Sequence, residues 1–322
     1  MPDTRYFLSG ASGIRPEVMP LVASHVDYRL LSMHSAFKGN TKVWCAVMAD
    51  KRCAIKEVML DSGAFTAFTK GHKVTLDELV PVYRDTERKI LNAKSKTKLW
   101  FINLDVIPGE YGRKSEPHEI AEAVAQSDVN FKQLKKIFGD RVLPVWHQTE
   151  TEARLIDVCK QNDYIAMGFR QDLAEHARIR CAQEVLAEIA NPKGIRVHGL
   201  ATTGYKMLDR TTFWSVDSAS WLYAAAMGKI LHIDQQGELE VIDISNESPA
   251  RKKDRGHFNS IPEDHQALVL ERIAAAGTTI KQAQSDLSYR ILICAHQMQE
   301  WVNHHYKAPK TIVYEKGFFP VG

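Results

Sequence analysis

The sequence predicts an α/β fold, a TIM-like (β/α)8 barrel with a C-terminal helical extension. Two observations lead there. Short apolar runs alternate with longer helix-like stretches through the first two thirds of the chain, which is the pattern of a parallel sheet with crossover helices. Eight such runs can be counted, the number that closes a barrel, and the chain carries neither a G-x-G-x-x-G after the first run nor a Walker A loop. A length of 322 residues suits one barrel of roughly 250 residues with an addition.

In chain order the strand-like runs are RYFLSG (5–10), YRLLSMH (28–34), EVMLDSG (57–63), LWFINLDV (99–106), VLPVWHQ (142–148), YIAMGF (164–169), IRVHGLA (195–201) and TFWSVDS (212–218). Between the later ones lie helix-like segments at 75–94, 116–139, 149–162 and 172–190. Thr75 and Thr149 are the expected N-caps, Thr75 with Glu78 three residues on. The alternation stops near residue 225. HIDQQGELEVIDIS (232–245) reads as a hairpin turned at Gln-Gly, and 264–307 as two or three helices, with a helix-turn-helix around Gly277 as the alternative. The expected division is a catalytic barrel core over 1–230 and a hairpin plus helical extension over 231–322, packing on or closing the barrel.

Composition narrows the setting. No apolar run reaches the roughly 18 residues of a membrane span, and MPDTRYFLSG lacks the order of a signal peptide, so no membrane partner and a cytoplasmic location are expected (host cytoplasm if phage-encoded). The five cysteines (Cys45, Cys53, Cys159, Cys181, Cys294) are scattered without a C-x-x-C, which predicts free thiols. His296, His304 and His305 do not combine with Cys294 in a zinc spacing, and no structural metal is expected. The net charge of +3 is small, but FKQLKKIFGDR (131–141) and SPARKKDRGHF (248–258) are locally basic; each is a solvated surface or a phosphate-binding patch.

The position of the polar residues carries the chemistry. Asp61, Asp105, His147 with Gln148, His198 and Asp217 each close an apolar run at its C-terminal end. In a barrel those ends converge on one mouth. Three carboxylates there suit nucleophilic and acid–base work on a bond to an sp³ carbon, as in a retaining glycosidase. Gly63 and Gly168 would let a flat ligand approach the backbone, and Phe65 and His198 could cover its two faces. A divalent ion on Asp61, Asp105, His147 and His198 is the competing use of the same residues.

These segments resemble the tRNA-guanine transglycosylase superfamily. LDSGAF (60–65) is similar to its D-S/T-G-G-F/Y segment, with Ala64 in place of the second glycine; FINLDVIPG (101–109) resembles its base-gripping Phe-Asp strand end, PVWHQTE (144–150) its V-Q-G turn and YIAMGF (164–169) its glycine turn. HGLATTGYKMLDRTTFWSVDSASW (198–221) resembles more closely the phage and bacterial branch acting on DNA, the DpdA-like 7-deazaguanine DNA transglycosylases, as does SYRILICAHQMQEW (288–301). The chain has only Cys294 where the tRNA enzymes carry a C-x-C-x-x-C…H zinc site.

The resemblance implies a base exchange in double-stranded DNA with a free 7-deazaguanine such as preQ0, and no cofactor. Asp217 would be the nucleophile and Asp61 the general acid–base. Asp105, Gln148 or His147, and the Gly168 backbone would hold the base edge, Phe65 and His198 its faces, and Ser62 and Gly63 would be further substrate contacts. Lys132, Lys135 and Lys136, with Arg251, Lys252, Lys253 and Arg255, would grip phosphates. A tRNA substrate, an N-glycoside hydrolase on the same barrel and a non-catalytic nucleic-acid-binding barrel are the alternatives. The sequence leaves the oligomeric state open.

Overall fold

A computed structural model describes residues 4–10, 14–34, 38–110, 113–170, 173–202, 205–249, 256–307, 309, 311–314 and 316–318. Nine strands form one parallel sheet: β1 (Arg5–Leu8), β2 (Tyr28–Ser32), β3 (Glu57–Asp61), β4 (Lys98–Ile102), β5 (Val142–Leu143), β6 (Val145–His147), β7 (Tyr164–Gly168), β8 (Arg196–Gly199) and β9 (Ser215–Ser218). Their order is β5-β4-β3-β2-β1-β9-β8-β7-β6. The strands at the two ends of that order, β5 and β6, are separated along the chain only by Pro144. They are the single run expected at 142–148, interrupted where proline has no amide to donate. β5 pairs with β4, β6 pairs with β7, and the Ala166 amide donates to the Pro144 carbonyl at 2.8 Å, so the sheet curls into a nearly closed α/β barrel of the TIM type.

Alternation along the strands sorts side chains into two cores. Phe7, Leu30, Met59, Ile102, Leu143, Val145 and Ala166 fill the middle of the barrel. Beneath them, at the N-terminal ends of the strands, Arg5 pairs with Glu57 (2.8 Å), and the Trp100 indole donates to the same carboxylate (2.8 Å). The Arg196 guanidinium lies 4.9 Å from the Tyr164 ring and 5.5 Å from Trp100, and Arg5 lies 4.9 Å from Trp214. Cation–π contacts and one ion pair thus plug that end of the barrel.

The larger core lies between the sheet and the surrounding helices. The helices expected at 75–94 and 116–139 are Leu76–Ala93, started by a Thr75/Glu78 capping box, and Pro117–Phe138. The one expected at 149–162 begins later, at Glu152, and its N-cap is Thr151 rather than Thr149. The one expected at 172–190 is α-helical over Glu175–Glu184 and continues as a π-helix over Val185–Ala190.

The hairpin is β10 (Lys229–Ile233) and β11 (Leu239–Asp243), antiparallel, followed by helices Glu263–Ala275, Ile280–Ser285 and Leu287–Glu300. The last of these packs against β10 and against Ser220–Ala226, the helix after β9, and its apolar residues belong to the same core as the barrel helices. The extension therefore packs on the flank of the barrel. Cys294 is buried in this helix under the Leu231 amide, and all five cysteines are buried and unpaired. Among the described residues no helix is long and apolar enough to cross a membrane.

Candidate functional site

A cavity of about 900 Å³ opens at the C-terminal ends of the barrel strands, lined by Asp61, Asp105, Phe65, His147, Gly168 and Asp217 among others. Side chains from β3, the loop after β4, β6, β7 and β9 meet there, so the convergence expected from the strand ends is present for the three carboxylates.

Asp61 is the last residue of β3, and one of its oxygens accepts the Gly63 amide at 3.1 Å. Burial, then the charges of Asp105 and Asp217, push its carboxyl up to about 7, against the opposing hydrogen bonds from Gly63 and Ser32. Its backbone is fixed from behind. The buried Tyr83 hydroxyl, on Leu76–Ala93, reaches the Leu60 carbonyl (3.0 Å) and the Ile102 carbonyl (2.7 Å), tying β3 to β4 beside the site.

Asp105 follows β4 and is held by Pro117–Phe138. Ser127 accepts the Val106 amide (2.8 Å), and Asn130 donates to the Leu104 carbonyl (2.8 Å). The Asp105 carboxylate meets the His147 imidazole at 2.8 Å. Burial alone would lower the His147 value; the hydrogen bond and charge of Asp105, with Glu150 behind, outweigh it and leave the imidazole raised. Gly168 makes this possible, since a Cβ there would stand 2.6 Å from the His147 ring. Gln148 also lines the cavity, but both ends of its amide are engaged beyond β7: Arg170 in the loop donates its amide to the side-chain oxygen (3.3 Å), and the nitrogen donates to the Ala177 carbonyl in the helix Glu175–Glu184 (3.4 Å). Of the two candidates at this turn, His147 is the one joined to Asp105.

Asp217 sits in β9 with Oδ1 accepting the Ala201 amide at 2.8 Å. Ala201 is the one described non-glycine residue with a positive φ, 49°. Phe65 stands at the rim of the cavity, 55% exposed.

Three expected contacts are not at the cavity. His198 is 0% exposed and lies beneath Asp217, so it cannot cover a ligand ring. Ser62 is buried, with its hydroxyl under the Ala64 amide (3.3 Å). Gly63 serves the turn: its φ is 79°, and a Cβ would meet the His34 backbone nitrogen at 2.9 Å rather than a ligand. Lys132, Lys135 and Lys136 do not line the cavity either. They occupy the last turns of Pro117–Phe138, and Lys135 bonds Asn162 (3.2 Å), just before β7 begins. That is the end of the barrel opposite the cavity. Arg251, Lys252, Lys253 and Arg255 lie outside the described residues.

Sequence reasoning passed over Arg113, Lys114 and Arg170, which line the cavity, with Arg113 bridged to Glu119. Their only signal was position: each follows a strand end within the loops that form a barrel mouth. Among the described residues no three His, Cys, Asp or Glu side chains cluster as a metal site.

Fold and site together define an α/β barrel with an acidic cavity at the C-terminal face. No family model matches the chain, and no curated protein does either.

Proposed function

We propose that the protein is a DNA-guanine transglycosylase, exchanging guanine in double-stranded DNA for a free, preQ0-like 7-deazaguanine through a covalent Asp217–deoxyribose bond. The observation that carries this reading is that Asp61 and Asp217, far apart in the chain, line one cavity, with Asp61 able to give and take a proton near neutral pH. The strand-end motifs, SVDSASW above all, support it through their resemblance to the DpdA-like branch.

The target nucleotide leaves the stack at a cost of a few kcal/mol, roughly. Asp217 attacks C1′, the bond to guanine breaks, and Asp61 delivers its proton to the departing base. The incoming 7-deazaguanine gives its N9 proton to the Asp61 carboxylate. N9 then attacks C1′, and the ester electron pair returns to Asp217. Two inversions give net retention. Asp105, oriented by His147, accepts from the donors on the base edge, and Phe65 covers one face. Arg113, Lys114 and Arg170 are placed along the cavity wall to meet phosphates. These steps consume no cofactor.

Incubating the protein with DNA and a panel of 7-deazaguanines, then analysing nucleosides by mass spectrometry, tests the reading. The expected result is incorporation by wild type, a trapped protein–DNA species, and neither with Asp217→Asn. Free guanine with an abasic site would mean hydrolysis, and exchange confined to tRNA would move the substrate. Near wild-type exchange by Asp217→Asn would overturn the mechanism.

A further inference from the structure

The buried histidine under the site has a directional hydrogen-bond chain behind it. The β8–β9 register places His198 opposite Ser215, and Asp217 stands two residues further along the same face of β9. The Tyr164 hydroxyl lies 2.6 Å from Ser215 Oγ, Ser215 Oγ lies 2.7 Å from His198 Nδ1, and His198 Nε2 lies 3.3 Å from Asp217 Oδ1. All four side chains are buried.

Satisfaction of the protons fixes the direction. Among the described residues the Tyr164 hydroxyl has no partner except Ser215, so its proton must go there or remain buried without an acceptor. Ser215 then donates to Nδ1 of His198. With Nδ1 accepting, the ring proton resides on Nε2, the nitrogen facing Asp217. The reverse order strands the phenol proton, and an arrangement in which Ser215 accepts from both Tyr164 and an Nδ1–H strands the serine proton; either sets the Nε2 lone pair against a carboxylate oxygen. Nε2 has no in-line hydrogen bond, so this donor is near Oδ1 without being committed elsewhere. The Ala201 amide approaches the same oxygen at 2.8 Å, from a backbone bent to φ 49°. The Ala201 amide is hydrogen-bonded to Oδ1, and Nε2 stands 3.3 Å from the same oxygen, out of line for a hydrogen bond.

We infer that His198 is a positioning residue for Asp217, with its tautomer set by Ser215 and Tyr164, forming with the Ala201 amide a two-donor cradle for one carboxylate oxygen. The chemical consequence rests on the proposed role of Asp217. The cradled oxygen is held, the other attacks C1′, and the cradle receives negative charge when the ester breaks and the electron pair returns to the carboxylate. The serine of SVDS acquires a function by this account, as does a histidine that never touches the ligand.

Two measurements on the full-length protein judge it. Nitrogen-15 spectra of the imidazole should show the Nε2–H tautomer in wild type and a changed tautomer balance in Ser215→Ala. A dominant Nδ1–H form in wild type would overturn the inference whatever the reaction proves to be. In exchange assays, Tyr164→Phe and Ser215→Ala should lower kcat about tenfold and leave the KM for free base unchanged. His198→Gln, which keeps a donor, should retain more activity than His198→Leu. Unchanged kcat in Ser215→Ala and His198→Leu would overturn the cradle's role while leaving Asp217 as nucleophile. Retained exchange in Asp217→Asn would instead defeat the proposed function, and the tautomer spectrum would still decide the network.

Discussion

Asp61 concentrates the electrostatic strain of the site in one carboxyl. Because its folded value is raised to about 7, the native state holds a proton that the unfolded chain releases near 4. The native state therefore binds more protons between those values, and stability falls as pH rises from about 4 to about 7. Asp61→Asn should raise stability at pH 8 by up to about 4 kcal/mol, with a higher melting temperature there and little change at pH 4, and should abolish exchange. Thermal melts at the two pH values check this. At the rim, Lys114→Ala should weaken DNA binding and flatten its salt dependence, whereas Lys132→Ala with Lys136→Ala should do neither; binding isotherms across a salt series separate them. The carboxylates were legible because each ends an apolar run. His198 obeys the same pattern, yet its depth depends on register: it pairs with Ser215, one layer below Asp217, and register cannot be read along a single strand.

Supporting helices decide how firmly the strand ends are held. Tyr83→Phe removes the one hydroxyl shared between the Leu60 and Ile102 carbonyls at the ends of β3 and β4, and should cost about 1–2 kcal/mol in denaturant unfolding, with faster amide exchange at Leu60 and Ile102. Gly63→Ala combines a φ of 79° with a 2.9 Å approach to the His34 backbone, and should cost about 2 kcal/mol or more while displacing Asp61. The strands were readable from their apolar runs and the long helices from periodicity and caps. The helix Lys38–Val47 was not, since KGNTKVWCAV is rich in poor helix formers, and burial of Trp44, Cys45 and Val47 stabilises it instead. Ser127 and Asn130 lie in the helix-like segment 116–139 with no motif to mark them; only the folded sheet shows them bonded to the loop bearing Asp105.

At the scale of the molecule, barrel and extension share one core, so the expected boundary at 230 marks a change of pattern rather than a separable unit. The Arg290 guanidinium donates to the Ala225 carbonyl (3.0 Å) across that boundary. Thermal unfolding should show one cooperative transition, and a chain ending at residue 228 should fail to fold, as circular dichroism would report. The Arg5–Glu57–Trp100–Arg196 plug has a kinetic corollary. A chamber shut at its floor has a single doorway, and under the proposed exchange the outgoing and the incoming heterocycle pass through it in turn. Initial-rate plots for the two exchange partners should accordingly run parallel, the signature of a ping-pong order imposed by architecture rather than by affinity.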